Sequence, residues 1–228
     1  MNKQVKTKAI VLKRTNYGEA DRVLQLITPL GKMSVLARGV RKEKSKLAGG
    51  IELLATSDIV VSQGKGELSL LTSSRLEKFY SDILQDYDRL EFANLVIKNV
   101  SKFSENVEEP VWYEMTKEVF ESLNNKNIPI RIIQAWFYLR IAAYQGHELS
   151  LIYDIEGNKL YPEENYFYDS ENQGLSNKSN GPITSEHIKI LRILNNRPIA
   201  TIMNVGGIDK YFDAVYKTAR EHAAVYDK

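Results

Sequence analysis

The stretch Tyr17–Gly50, YGEADRVLQLITPLGKMSVLARGVRKEKSKLAGG, decides how this chain is read. It opens on a turn, passes through two strand-like runs and ends in a dense basic loop. Arg22 to Thr28 is rich in Val, Leu and Ile and reads as a strand. Pro29-Leu30-Gly31 is a tight turn, because Pro pre-sets one dihedral and Gly tolerates positive φ. Met33, Val35 and Ala37 alternate with Ser34, Leu36 and Arg38, the period of two that marks a strand. The loop from Arg38 to Lys46 then gathers Arg38, Arg41, Lys42, Lys44 and Lys46, with Glu43 the one opposing charge.

Three further strands flank this stretch. Ala9-Ile10-Val11-Leu12 is a short apolar run between lysines, expected as a strand over 6–13. Asn16-Tyr17-Gly18 is a turn signal. Ile51 to Ser62 is a fourth strand, Gly64-Lys65-Gly66 a hairpin turn, and Leu68 to Ser73 a fifth strand. Five short strands in about 75 residues point to a small closed barrel of the oligonucleotide-binding type. An SH3-like barrel or a small sandwich fits the same pattern.

Beyond about residue 78 the period becomes helical. Leu90, Ala93 and Ile97, with Val96, Val100 and Phe103, fall at helix spacing. A second helix runs from about Pro110 to Leu123, with Pro at the permissive first turn. Ile130 to Gln145 is the most apolar helix, and a helix apolar on all sides belongs inside a bundle. The segment 146–182 is irregular and rich in Asn, Ser, Gly and tyrosine, and reads as a small aromatic-packed insertion. Thr184 or Ser185 caps a further helix, Pro198 interrupts the chain, and a last helix follows Gly206-Gly207. The expected architecture is α+β. An OB-type five-stranded barrel over 1–78 precedes an α-helical domain over 79–228, with the Tyr-rich insertion at about 146–183.

Composition narrows the chemistry. The chain has no cysteine, which excludes disulfides, thiolate zinc sites, iron–sulfur clusters and cysteine nucleophiles. His147, His187 and His222 are far apart and read as surface or interface residues rather than ligands. No GxxxxGK[ST], GxGxxG or GxSxG motif occurs, so the sequence points away from an enzyme. No run reaches the ~20 apolar residues of a membrane span, and the N-terminus has too short an apolar stretch for a signal peptide. A cytoplasmic, nucleoid-associated location is the expectation. The net charge of +2 hides a strong asymmetry. Residues 1–50 hold twelve Lys/Arg against three Asp/Glu, while the chain beyond residue 80 is net acidic. Basic charge gathered in one part suits a polyanion.

Lys13, Arg14, Arg22 and Lys32 lie on or beside the predicted strands and are expected to share one face with Arg38, Arg41, Lys42, Lys44 and Lys46. Cations along a phosphate backbone give sequence-independent affinity through counterion release. Long side chains on a flexible loop suit that task. Tyr17 is the one aromatic residue before Phe79, so backbone electrostatics outweighs base stacking.

Ala9 to Leu12, Tyr17-Gly18-Glu19-Ala20-Asp21-Arg22, Thr28 with Gly31-Lys32, Ala37-Arg38-Gly39-Val40-Arg41, Lys44-Ser45-Lys46-Leu47, Ile51 to Leu54 and Gly64 to Leu68 together resemble the N-terminal domain of the bacterial RecO family of recombination mediators. The resemblance covers residues 1–80. It implies a DNA-repair and homologous-recombination protein of the RecF pathway. It would bind single- and double-stranded DNA, anneal complementary strands and assist RecA loading on DNA coated by single-strand-binding protein (SSB). The partners implied are RecR and the acidic C-terminal tail of SSB. Arg131 and Arg140, on the central helix, are candidates to receive that tail, against the plainer reading as ordinary helix residues. Many members carry a cysteine zinc site after the central helices. This chain has no cysteine there, so no zinc is expected and tyrosine packing would stand in. Two other readings fit the residues alone: a protein-interaction scaffold, and an RNA-binding barrel.

Overall fold

The computed structural model of the chain describes residues 3–63, 68–105 and 109–224. The expected hairpin turn at Gly64-Lys65-Gly66 lies outside them. The chain divides into two compact units, Met1–Lys126 and Asn127–Lys228.

The first unit is built on five strands: β1 Lys3–Tyr17, β2 Asp21–Thr28, β3 Gly31–Ala37, β4 Ala55–Gln63 and β5 Ser69–Phe79. They close into a barrel in the order β1-β2-β3-β5-β4. β1 is far longer than its apolar run, because it serves two neighbours. Its first half pairs with β4, from Lys3↔Gln63 to Ile10↔Thr56, and its second half with β2, from Ile10↔Ile27 to Tyr17↔Asp21. An irregularity between Val11 and Lys13 lets the strand bend from one partner to the other. Ala9, Val11, Leu24, Leu26, Val35, Ala37, Ile59, Val61 and Leu71 fill the interior.

The uninterrupted run Ala9 to Leu12 has a physical cause. A strand with one wet face alternates, whereas one buried on both faces does not. Ile10 and Leu12 are buried but lie outside the barrel-core cluster. Helices α1 (Tyr87–Phe103) and α2 (Val111–Leu123) pack against β1 on that outer side. The two helices are also locked to each other. Arg89 of α1 is buried and donates through Nη1 to the carbonyl of Leu123, at 2.7 Å, at the end of α2. It thereby satisfies a carbonyl that the helix leaves unpaired. The last barrel strand ends at Phe79, and the compact unit that holds it runs on to Lys126.

The seam between β3 and β5 is short. Their parallel ladder consists of Val35↔Ser69 and Leu36↔Leu70. Below it the loop after β3 takes the place of a strand. Val40 and Ile51 are buried in the barrel core, and Leu47 and Ala48 pack against it. A 3-10 turn at Ala48–Gly50 lies directly on β5, where Ser74 donates through Oγ to the Leu47 carbonyl at 2.8 Å.

The second unit contains α3 (Ile130–Tyr144), the hairpin β6 (Tyr166–Asp169) and β7 (Gly174–Asn177), then α4 (Ser185–Asn196), the short α5 (Ile199–Ile202) and α6 (Phe212–Ala224). α3 packs against α4, α5 and α6, as its apolar composition requires. The Tyr-rich insertion is folded around buried Tyr166, whose hydroxyl donates to Glu164 and accepts from Tyr161 N–H. Of the histidines expected as surface or interface residues, His187 and His222 are buried where elements pack together. His222 donates through Nε2 to the His147 carbonyl at 2.8 Å and accepts at Nδ1 from the Tyr168 hydroxyl at 2.9 Å. His187 Nδ1 accepts the Thr184 N–H at 3.1 Å, closing a capping box at the start of α4. Both rings accept a hydrogen bond at Nδ1, so both are held neutral, and burial lowers both pKa values.

Two outcomes follow for stability. A Cβ at Gly50 would sit 2.6 Å from Ser74 Cβ and 2.7 Å from its backbone carbon, whereas one at Gly49 would meet nothing within 4 Å. Gly50→Ala is expected to cost about 1–3 kcal/mol, and Gly49→Ala less than about 0.5 kcal/mol, measured by urea unfolding. The buried histidines predict acid sensitivity. The unfolded chain takes up protons near pH 6.5 while the folded rings resist them. Their contribution is therefore complete above that pH and lost as the pH falls below it. His222→Gln should flatten the fall in stability between neutral and mildly acid pH.

Candidate nucleic-acid interface

The basic loop is not the flexible segment expected from its composition. Gly39 adopts a φ of +60°, which a side chain would strain, and its N–H is capped by Asp21 Oδ1 at 2.7 Å. Val40, 3% exposed, then plugs the barrel. Burying a valine side chain contributes roughly 1.5–3 kcal/mol. Arg41 is tied by its backbone N–H to the Ala20 carbonyl at 2.9 Å and by Nη1 to the Gly18 carbonyl at 3.3 Å. Successive turns follow, with Lys42 N–H donating to Gly39 and Ser45 N–H to Lys42. The apolar residues of the loop point into the barrel, and the cations between them are exposed.

The predicted cations separate into two groups. Arg14, Arg22, Arg38, Arg41, Lys42, Lys44 and Lys46 belong to the loop end of the barrel. There Arg22, opposite Ala37, donates through Nε to Asn16 at 3.1 Å, and Arg14 is paired with Glu52 at 2.9 Å. Among the described residues, Arg38, Lys42, Lys44 and Lys46 form no ion pair. Lys32 is the second residue of β3, about 20 Å along the strand from Arg38 at ~3.3 Å per residue. It reaches α1 and pairs with Glu105 at 2.7 Å. Lys13 points outward from β1 opposite Gln25, on the same side as Lys32. Lys98 and Lys102 of α1, which the apolar periodicity passed over, stand beside these two. Their signal was the i, i+4 lysine spacing.

On the opposite side of the barrel the central charges pair with one another. Lys8, Asp58 and Arg75 lie in one row across β1, β4 and β5. Asp58 binds Arg75 at 2.7 Å and Lys8 at 3.3 Å, and Lys8 also binds Glu77. Hydrogen bonds from Arg75 and then Lys8 hold the Asp58 carboxyl below its ordinary range. These cations are already matched.

In the second unit, Arg131 pairs with Asp213 at 2.8 Å and lies over the Tyr216 ring. Arg140 lies over Trp136 and donates to the Arg197 carbonyl at 3.2 Å. Nine residues apart on α3, they stand half a turn out of phase and do not converge. The chain has no cysteine, and among the described residues no group of three potential ligands could hold a metal. A cysteine zinc site does not fit this chain. No described helix is long and apolar enough to cross a membrane.

Comparison with known proteins matches residues 1–80 to the family model "Recombination protein O N terminal" and residues 84–216 to "Recombination protein O C terminal". A DNA repair protein RecO of Dehalococcoides mccartyi strain 195 is 30% identical over 206 residues, covering 86% of this chain and 80% of that protein. Its counterpart in strain CBDB1 is 28% identical over 205 residues with the same coverage. The DNA repair protein RecO of Acetivibrio thermocellus is 41% identical over 90 residues, covering 39% of this chain and 36% of that protein.

Replacing Lys42, Lys44 and Lys46 with alanine removes exposed cations and leaves Val40 and Leu47 in place. The expected outcome is weaker binding to duplex DNA, with the slope of log K against log[salt] shallower by about 2–3. The urea midpoint should stay near that of the parent.

Proposed function

The chain belongs to the recombination protein O family and has that family's role in DNA repair, and on this premise we propose that it is a recombination mediator of the RecF pathway. It binds single- and double-stranded DNA through the phosphate backbone, anneals complementary strands and assists RecA loading on SSB-coated DNA. Its proposed protein partners are RecR and the acidic C-terminal tail of SSB. It works by binding, with no catalytic step and no zinc.

The observation that carries this reading is the loop from Arg38 to Lys46. Its backbone is fixed by Asp21, Val40 and the Leu47–Ser74 contact, and its cations project from that fixed base. Pre-positioned charges lose less freedom on binding than charges on a mobile tail. Phosphate contact without base readout is also what annealing requires, because the base edges must stay free to pair.

The test is annealing of complementary oligonucleotides, bare and pre-coated with SSB. The full chain should accelerate both reactions, and the variant lacking Lys42, Lys44 and Lys46 should do so several-fold less. No acceleration by the full chain on either substrate would contradict the mediator reading.

A further inference from the structure

A second concentration of positive charge lies away from the loop. The outer face of β1–β3 and helix α1 enclose an open cleft of about 440 Å³. Lys13 enters it from β1, Lys32 from β3, and Lys98 and Lys102 from α1, with Gln25 and Ser101 between them. Ser101 Oγ donates to Gln25 Oε1 at 3.4 Å, which sets the helix face over the strand.

Local structure does not account for this cluster. Like charges at i, i+4 on a helix repel and are mildly destabilising. Lys102 gains from the helix C-terminus and lies 4.8 Å from the Phe103 ring centre. Neither effect explains Lys98, nor why Lys13 meets it from a different element. Lys32 is the exception, because its side chain is 10% exposed and its ammonium is held by Glu105 at 2.7 Å and the Ser101 carbonyl at 2.8 Å. Lys13 and Lys98 form no ion pair among the described residues. Among the described residues, four ammonium groups and one carboxylate, that of Glu105, line the cleft. On the far side, by contrast, Lys8 and Arg75 are each paired with a carboxylate, through Asp58 and Glu77, and Lys6 stands beside them without an ion pair among the described residues.

We infer that this cleft is a second phosphate-backbone site that continues the nucleic-acid track from the loop onto α1, with Glu105 competing with phosphate for Lys32. The inference rests on the DNA-binding reading above and adds Lys98 and Lys102 to it. Lys13 faces Gln25, and Gln25 faces Ser34. Ser34 is four residues from Arg38, about 13 Å along β3 at ~3.3 Å per residue. One strand of nucleic acid crossing the loop therefore reaches the cleft within a few nucleotides.

The experiment titrates a fluorescent oligo(dT) into the full chain across a salt series, in three variants beside the parent. Lys98→Ala/Lys102→Ala should weaken binding and make the salt slope shallower by about 1.4, at ~0.7 per contact on a single strand. Glu105→Gln should tighten binding, because it frees Lys32, and a gain of affinity cannot come from a damaged fold. The loop variant lacking Lys42, Lys44 and Lys46 should bind more weakly. If the loop variant weakens while both cleft variants match the parent, the cleft inference is overturned and the DNA-binding reading stands. Weaker binding by Glu105→Gln also overturns it. If the parent binds no DNA, both fall.

Discussion

The structure depends on how one barrel seam is closed. Among the described residues, β3 and β5 share a ladder of two residue pairs, Val35↔Ser69 and Leu36↔Leu70. The loop that follows β3 completes the closure. Val40 and Ile51 enter the core, Leu47 and Ala48 lean on it, and Gly50 fits against Ser74 where no side chain would. A loop that must bury its apolar residues inward has to turn its other residues outward. Here those are Arg38, Arg41, Lys42, Lys44 and Lys46. Folding and charge display are therefore two results of the same packing.

Charge on this unit is sorted by face. On the β4–β5 side, Lys8 and Arg75 are paired with Asp58 and Glu77 across the strands. At the loop and in the α1 cleft, Arg14 pairs with Glu52 and Lys32 with Glu105, while Lys42, Lys44, Lys46, Lys13 and Lys98 form no ion pair among the described residues. Pairs with one solvent-facing partner, such as Arg14 with Glu52, contribute little to stability. Their larger effect is on which cations are available to an external anion. On the proposed function, a polyanion would meet these cations at the loop end of the barrel and along α1.

Much of the fold was legible in the chain. Alternation in Met33 to Arg38, the turn at Pro29 to Gly31 and the helical spacing beyond residue 78 all correspond to observed elements. β1 and β5 run well past their apolar cores, because ladder pairing rather than hydrophobicity sets their ends. The run Ala9 to Leu12 carried a stronger message than "strand": a segment apolar on both faces needs a cover, which α1 and α2 supply. The site was legible as composition but not as geometry. The Asp21 cap that orders the loop spans 18 residues, and the Lys32–Glu105 pair spans 73. No local pattern encodes such distances. The buried states of His187 and His222 were hidden for the same reason, since each depends on elements packed against it.

The most direct test of this account is a chemical-shift map of the backbone amides, recorded as a short single-stranded oligonucleotide is added at low and then high salt. The account predicts perturbations at residues 38–47 and on the Lys98–Lys102 face of α1. They should fade as salt rises, and the row around Asp58 and Arg75 should stay silent. Perturbations centred on that row, with the loop unmoved, would contradict it.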